Sequence, residues 1–286
     1  MVCFSYLFVF LLSLSKHMNV NFGSLNINGG TSSEHKVQVK DLTRRLHLDV
    51  LLLQETHGDL TAQAQWRRLM KGQWFFSDIN SFTAGIAFFV SPSLTLSQVH
   101  YHEIIPGRLA CLQFIANNQI FTFLNIYAPN ENAEKYNFFL KLEALLSTID
   151  LNCCFIMSGD FNCTLDPALD RNSVEPHPKS AKTLEKIIKT VGLVDVWRIQ
   201  HPRQRQFTWL RCVSQRHTLA RLDRIYVNTT MLDKILKSDI VPSLFSDHLV
   251  TTFSFKLALQ QHGSPYWKFN VMLLENVTFC EPFRVF

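Results

Sequence analysis

Three short apolar runs end in residues able to do chemistry. Val50–Leu53 leads into Gln54-Glu55-Thr56-His57, Ile120–Ile126 into Tyr127-Ala128-Pro129-Asn130, and Phe155–Ser158 into Gly159-Asp160-Phe161-Asn162. Apolar strands that terminate in a carboxylate, amide or phenol gather those groups at one rim of a sheet, and such a rim is a site. Glu55, Asp160, Asp223 and Asp247 all stand beside apolar segments, where uncompensated burial of a carboxylate would be expensive. A hard divalent cation is the simplest compensation. Carboxylates without a Cys/His ligand pattern favour Mg²⁺, with Mn²⁺ as a substitute, because such an ion keeps waters and accepts phosphate oxygens. Asn26, Tyr127, Asn130, Asn162 and His248 add neutral or switchable donors suited to phosphate oxygens. The chemistry expected is metal-assisted hydrolysis of a phosphate ester.

Taken singly, each motif has a bland reading. Gly-Asp-Phe-Asn is also a turn, Ser246-Asp247-His248 a cap or loop contact, and Asp223 after Arg221-Leu222 a surface ion pair. His100 and His102 share a strand face with no third ligand apparent, and read as surface histidines.

The elements that must position these groups follow from periodicity. Val20–Leu25, Val50–Gln54, Gly85–Val90, Leu94–His100, Leu109–Ile115, Ile120–Tyr127, Phe155–Ser158, Ile225–Val227 and Val250–Phe255 read as strands. Asn117-Asn118 supplies a positive-φ turn between two of them, so part of the sheet is antiparallel. Helices are expected over Ser33–His47, with Ser33 as cap and Val37, Val39, Leu42 and Leu46 as apolar positions, over Lys135–Ile149, and over Ser180–Val191 with Gly192 as stop. Strands interleaved with helices imply two packed sheets flanked by helices.

At 286 residues, with 28 Lys+Arg against 23 Asp+Glu and 47% hydrophobic residues, the chain is neither collagen-like nor disordered. A pI near 8.8 suits a polyanionic partner without requiring one. The seven cysteines are scattered without zinc-ligand spacing and read as reduced packing thiols. Residues 1–17 form a hydrophobic leader, signal-like or non-native; 18–257 form one domain; 258–286 form a tail. A working signal would make the protein secreted; a DNA substrate, which only a family resemblance implies, would place it instead in the nucleus.

In the order Leu25-Asn26-Ile27-Asn28-Gly29, Leu53-Gln54-Glu55-Thr56-His57, Asn125-Ile126-Tyr127-Ala128-Pro129-Asn130, Gly159-Asp160-Phe161-Asn162, Phe207-Thr208-Trp209, Arg221-Leu222-Asp223-Arg224-Ile225 and Ser246-Asp247-His248, the sequence resembles the endonuclease/exonuclease/phosphatase superfamily. Within it the chain is most similar to the endonuclease domain of LINE-type retrotransposons, as Asp195-Val196-Trp197-Arg198 with His201-Pro202 and the tail Tyr266-Trp267-Lys268-Phe269-Asn270 also suggest. The resemblance implies a four-layer α/β sandwich like that of deoxyribonuclease I. It makes Glu55 the principal Mg²⁺ ligand, with Asn28 and Asp247 near the metal. Asp160 orients and deprotonates the attacking water, which Asn162 positions, and His248, held by Asp223, steadies charge on the scissile phosphate. Tyr127, Asn26, Asn130 and Ser246 bind phosphate or DNA, and Thr208 supports the DNA-facing wall. Repair-type relatives carry Asp at the Asn28 position, whereas retrotransposon-type relatives share the Asn; Gly30 stands where a bulky apolar residue is usual.

The function expected is a Mg²⁺-dependent DNA endonuclease or exonuclease III-type enzyme, acting as a monomer on abasic or intact DNA and leaving 3′-hydroxyl and 5′-phosphate ends. Arg203, Arg205, Arg211, Arg216, Arg221 and Arg224 are expected to contact the DNA backbone. The alternatives are a phosphatase of the same fold and a catalytically silent retroelement relic that only binds nucleic acid.

Overall fold

β-Branched and aromatic runs form the strands and amphipathic runs the helices, and their order brings the ends of the apolar runs together. The computed structural model describes residues 17–213 and 216–258. The expected leader and tail, with the exceptions of His17 and Ala258, lie outside the described residues. Along the chain run β1 (His17–Asn26), α1 (Ser33–Arg45), β2 (Val50–Gln54), α2 (Leu60–Leu69), β3 (Gln73–Ser77), β4 (Ile86–Val90), β5 (Ser97–Ile105), β6 (Leu109–Ala116) and β7 (Gln119–Tyr127). Then come α3 (Asn132–Leu146), β8 (Cys154–Asp160), α4 (Pro178–Val191), β9 (Val194–Asp195), α5 (Val196–Gln200), β10 (Trp209–Val213), β11 (Arg216–Ala220), β12 (Asp223–Val227), a 3-10 turn (Thr229–Lys234), β13 (Ile235–Val241) and β14 (Val250–Ala258).

Two six-stranded sheets, ordered β13-β14-β1-β2-β4-β3 and β5-β6-β7-β8-β12-β9, pack face to face, and β10-β11 form a separate hairpin. Side-chain alternation builds four layers. Leu52, Phe123 and Ile156 point into the core between the sheets; Leu51 and Leu53 meet Val39, Leu42 and Trp66 of α1 and α2; Leu124 and Met157 meet Phe139, Leu142 and Leu184 of α3 and α4. Because both faces of β2 are covered, Val-Leu-Leu-Leu-Gln is a continuous buried run rather than an alternating one. The expected α/β sandwich is the architecture present.

Strand register then fixes the rim. Parallel pairing of β7 with β8 sets Tyr127 opposite Asp160, antiparallel pairing of β8 with β12 sets Asp223 opposite Asp160, and parallel pairing of β1 with β2 sets Asn26 opposite Gln54. Gly159 is required just before Asp160: its φ is +142°, and a Cβ there would collide with the Ile126 carbonyl of β7. Gly30 is accounted for similarly, since a Cβ would come within 2.7 Å of the Ile27 side chain and 2.9 Å of the Thr56 carbonyl oxygen.

Several boundaries differ from expectation. Ser32, not Ser33, caps α1, its hydroxyl accepting from the His35 amide at 3.0 Å, and Val37 faces solvent. β5 starts at Ser97, three residues past the expected Leu94, and α3 starts at Asn132, before the expected Lys135. Asn117 and Asn118 both have positive φ, as the hairpin demands. Elements missing from the sequence reading are α2, α5, β3, β9, β13 and the β10–β11 hairpin; α2 buries only Ala62 and Trp66 and is started by Asp59, whose carboxylate accepts from the Ala62 amide at 2.8 Å.

Candidate active site

The ends of β1, β2, β7, β8 and β12 converge with the Ser246–His248 loop on a cleft of about 370 Å³ whose lining includes Asn28, Glu55, Asn130, Asp160, Asp247 and His248. At its floor, His248 sits between two carboxylates. Its Nδ1 is 2.8 Å from Asp223 Oδ2 and its Nε2 is 3.9 Å from Asp160 Oδ2. All three residues are buried. Burial alone would lower the His248 pKa, but the charge and hydrogen bond of Asp223, with Asp160 behind them, raise it well above the ordinary imidazole range. Burial first, and the Asp223 charge second, push the Asp160 carboxyl above the usual carboxylate range.

Asn26, fully buried, ties the acids together: its amide donates to Glu55 Oε1 at 2.8 Å and to Asp160 Oδ2 at 3.1 Å. Tyr127 lies under the Arg108 guanidinium, 4.9 Å from its ring centroid. Burial, then the Glu55 charge and the hydrogen bond to Glu55, keep its phenol protonated. Asn162 is held with φ +49°; its amide N–H donates to Asp160 Oδ1 and its side chain to the Ala128 carbonyl, both at 2.8 Å. Glu55, His57 and Asn28 are also left-handed, so non-glycine residues in a sparsely populated conformation concentrate at this rim.

Two groupings could be considered for a cation. Ligand atoms of Asp160, Asp223 and His248 lie within 4.8 Å of one another. There, however, Nδ1 of the imidazole is spent on Asp223, which makes a hydrogen-bonded relay rather than a cage. Glu55, Asn28 and Asp247 offer only oxygen donors, at the open side of the cleft. Glu55 Oε2 lies 3.7 Å from His57 Nε2, beyond hydrogen-bonding distance, and Asp247 is exposed, receiving Asn28 Nδ2 at 3.1 Å and Trp209 Nε1 at 3.0 Å. The donor chemistry fits a hard divalent ion.

The sequence pattern of the Endonuclease/Exonuclease/phosphatase family matches residues 23–248, a span that takes in every one of these groups. The chain belongs to that family. It is 33% identical over 267 residues to the transposon TX1 uncharacterized 149 kDa protein of Xenopus laevis, a match covering 93% of this chain and 20% of that protein, so the chain spans about one fifth of its length. The fold matches an AP endonuclease from Archaeoglobus fulgidus with a TM-score of 0.68 at 21% identity, covering 82% of this chain and 99% of that one. It likewise matches the endonuclease domain of TRAS1, a telomere-specific non-LTR retrotransposon, with a TM-score of 0.64 at 13% identity, covering 83% and 99%.

In this family member several expected contacts turn inward. Asn26 cannot offer its amide to phosphate, because both carboxylates already hold it. Thr208 is fully buried and faces no substrate; its hydroxyl accepts from the Leu222 and Asp223 amides at 2.9 and 3.0 Å and so sets the position of Asp223. The Ser246 hydroxyl donates to the Asn26 carbonyl at 2.7 Å and accepts from the His248 amide at 3.1 Å, fastening the Ser246–His248 loop to β1. Arg221 and Arg224 are not DNA contacts, being 2% and 1% exposed. Arg221 forks onto Asp170 at 2.8 and 3.1 Å and onto Asp195 at 2.7 Å. Arg203, Arg205 and Arg211 are exposed, and Arg211 lines the cleft; the Arg216 side chain lies outside the description. His100 and His102 are exposed on β5, away from the cleft lining. Sequence reading missed Lys135, Arg171, His177 and Trp209, which also line the cleft. Trp209 is signalled by its place in the Phe207-Thr208-Trp209 motif.

Proposed function

We propose that this chain is a Mg²⁺-dependent DNA phosphodiesterase, with Mn²⁺ able to substitute, that nicks DNA as the target-site endonuclease of a retroelement and works as a monomer on nuclear DNA. The observation that carries the reading is the meeting, in one cleft, of a buried His248 flanked by Asp160 and Asp223 with an oxygen-only donor set beside it. The transposon relative supports a retroelement setting, and the AP endonuclease likeness in fold leaves abasic DNA as a substrate to be compared with intact DNA.

Glu55, Asn28 and Asp247 would hold the cation, which on binding supplies polarisation of a phosphate oxygen and neutralisation of charge. Asp160 takes a proton from water; a carboxyl raised above its usual range is the stronger base for that step. Asn162 keeps its side-chain carbonyl and second N–H for the same water. The water oxygen bonds to phosphorus as the P–O3′ bond breaks, and the departing O3′ takes a proton from solvent water, leaving a 3′-hydroxyl and a 5′-phosphate. His248, protonated and fixed by Asp223, donates from Nε2 to the phosphate as its negative charge grows, and Asn130, which lines the cleft, supplies a further donor, while the Tyr127 hydroxyl, spent on Glu55, holds that carboxylate in place.

The test is cleavage of two labelled duplexes, one abasic and one intact, by the full chain in Mg²⁺ and in EDTA, with Asp160→Ala beside it. Mg²⁺-dependent nicks that disappear in the variant are expected, and the faster duplex names the substrate. No nicks from folded protein would sink the nuclease reading, in favour of a silent relic, or of a phosphatase if phosphate monoesters are released.

A further inference from the structure

Lys135, in the first turn of α3, is 1% exposed and lines the catalytic cleft. Among the described residues its ammonium makes one hydrogen bond, from Nζ to the Asn162 carbonyl oxygen at 2.6 Å, and no ion pair. An ammonium taken out of water without a paired carboxylate is destabilising, and an apolar side chain of similar length would serve the core better. The charged and titratable groups around it are Asp160 at the end of β8, Glu175 and Arg171 on the loop that follows, the Cys163 thiol and His177 at the start of α4. None of them takes over the hydrogen bond to Asn162.

That bond has a particular place in the site. Asn162 is pinned at three points: its N–H to the Asp160 carboxylate, its side chain to the Ala128 carbonyl, and its own carbonyl to Lys135. The first two ties run to β8 and to the residue after β7, and the third alone comes from the helical layer. Because the Asn162 amide binds Asp160 Oδ1, a shift of this left-handed residue also turns the Asp160 carboxylate.

We propose that Lys135 is a positioning residue: reaching from α3 to the Asn162 carbonyl, it locks the Asp160–Asn162 turn and so aims the two side chains that align the attacking water. The consequence for catalysis rests on the nuclease reading above; the clamp itself does not. Lys135→Met and Lys135→Arg in the full chain test it by steady-state cleavage and by amide hydrogen exchange at Asn162. With Lys135→Met, kcat should fall roughly 10²-fold at a KM within about twofold of the parent, the cost of a misplaced catalytic pair. Exchange at the Asn162 amide should accelerate at least about tenfold, while the melting temperature stays level or rises. Lys135→Arg, which keeps donors for the carbonyl, should restore most of both.

An unchanged kcat with unchanged exchange in folded Lys135→Met overturns the proposal. So does a rise in KM alone, which would make Lys135 a substrate contact. If the parent cuts no DNA, exchange decides by itself: acceleration in Met but not in Arg sustains the clamp while the nuclease reading fails, and no acceleration removes the clamp. Should the Met variant not melt cooperatively, Lys135→Gln, one bond too short to reach the carbonyl, is read in the same two ways.

Discussion

Two clusters of buried charge lie close together along the chain and behave in opposite ways. In the first, Asp160 and Asp223 share one imidazole, and Asp223 Oδ1 is buried without a partner. In the second, both oxygens of Asp170 receive Arg221, and Arg198 adds a bond of 2.6 Å. Burial and a like charge drive the Asp160 carboxyl up; burial would raise Asp170 too, but Arg221 and Arg224 hold it far below the usual carboxylate range. The contrast separates the carboxylate to which the proposed function gives the reaction from groups that build the frame. Asp160, held only by neutral amides and facing a like charge, opens on the cleft, whereas Asp170 is held by three hydrogen bonds from arginines and joins the β8–α4 loop to α5 and to the segment entering β12.

The largest effect expected from breaking this contrast is on activity. Asp160→Asn should lower DNA cleavage by roughly 10³-fold without lowering the melting temperature, since it removes a base and a repelled buried charge together. Loss of cooperative folding in that variant would show the two clusters to be equally structural. The mirror substitution, Asp170→Asn, should lower unfolding free energy in denaturant by about 3 kcal/mol by taking the shared carboxylate from Arg221 and Arg198, of which Arg221 keeps Asp195.

The same pair gives opposite pH signatures. Asp170, with a folded pKa below its unfolded one, adds stability that is present above the ordinary carboxylate range and is lost as pH falls through the folded value. Asp160, raised on folding, adds stability that is full below the ordinary range and is lost as pH rises through its folded value. Unfolding free energies measured from pH 3 to 8 should therefore lose part of their acid-side slope in Asp170→Asn, and part of their neutral-side decline in Asp160→Asn, by the linkage relation.

Smaller effects sharpen the boundary between the clusters. Thr208→Val deprives the Leu222 and Asp223 amides of their acceptor, and should destabilise by about 1–3 kcal/mol while reducing kcat several-fold as Asp223 shifts. A stability loss with kcat untouched would make Thr208 part of the frame alone. Smallest is Asn28→Asp, which places a second carboxylate beside Asp247. It should lower the half-activating Mg²⁺ concentration several-fold, about 1 kcal/mol, and depress the melting temperature in EDTA by like-charge repulsion.

Much of the fold is legible in the residues because apolar periodicity reports burial directly. Val50–Gln54 and the helix ending at Gly192 stand where the pattern puts them. α2 and β13 escaped because few of their side chains are buried, so little selection for apolar residues shows. In the site, the carboxylates and His248 were readable as chemistry at strand ends. Their partners were less so: Thr208 looked like a wall residue and Arg221 like a DNA contact, since sequence shows which groups can hydrogen-bond but not which side they face.

The sequence by itself determined nine of the strands, three of the helices and the set of acids, amides and imidazole at the strand ends, because these follow from local periodicity and residue chemistry. Tertiary structure alone decided the pairings. Asp160 meets Asp223 across β8 and β12, Lys135 reaches Asn162 from α3, and Arg221 turns inward to Asp170. Such contacts join residues 27 to 63 positions apart, and only strand register and layer packing bring them within hydrogen-bonding distance.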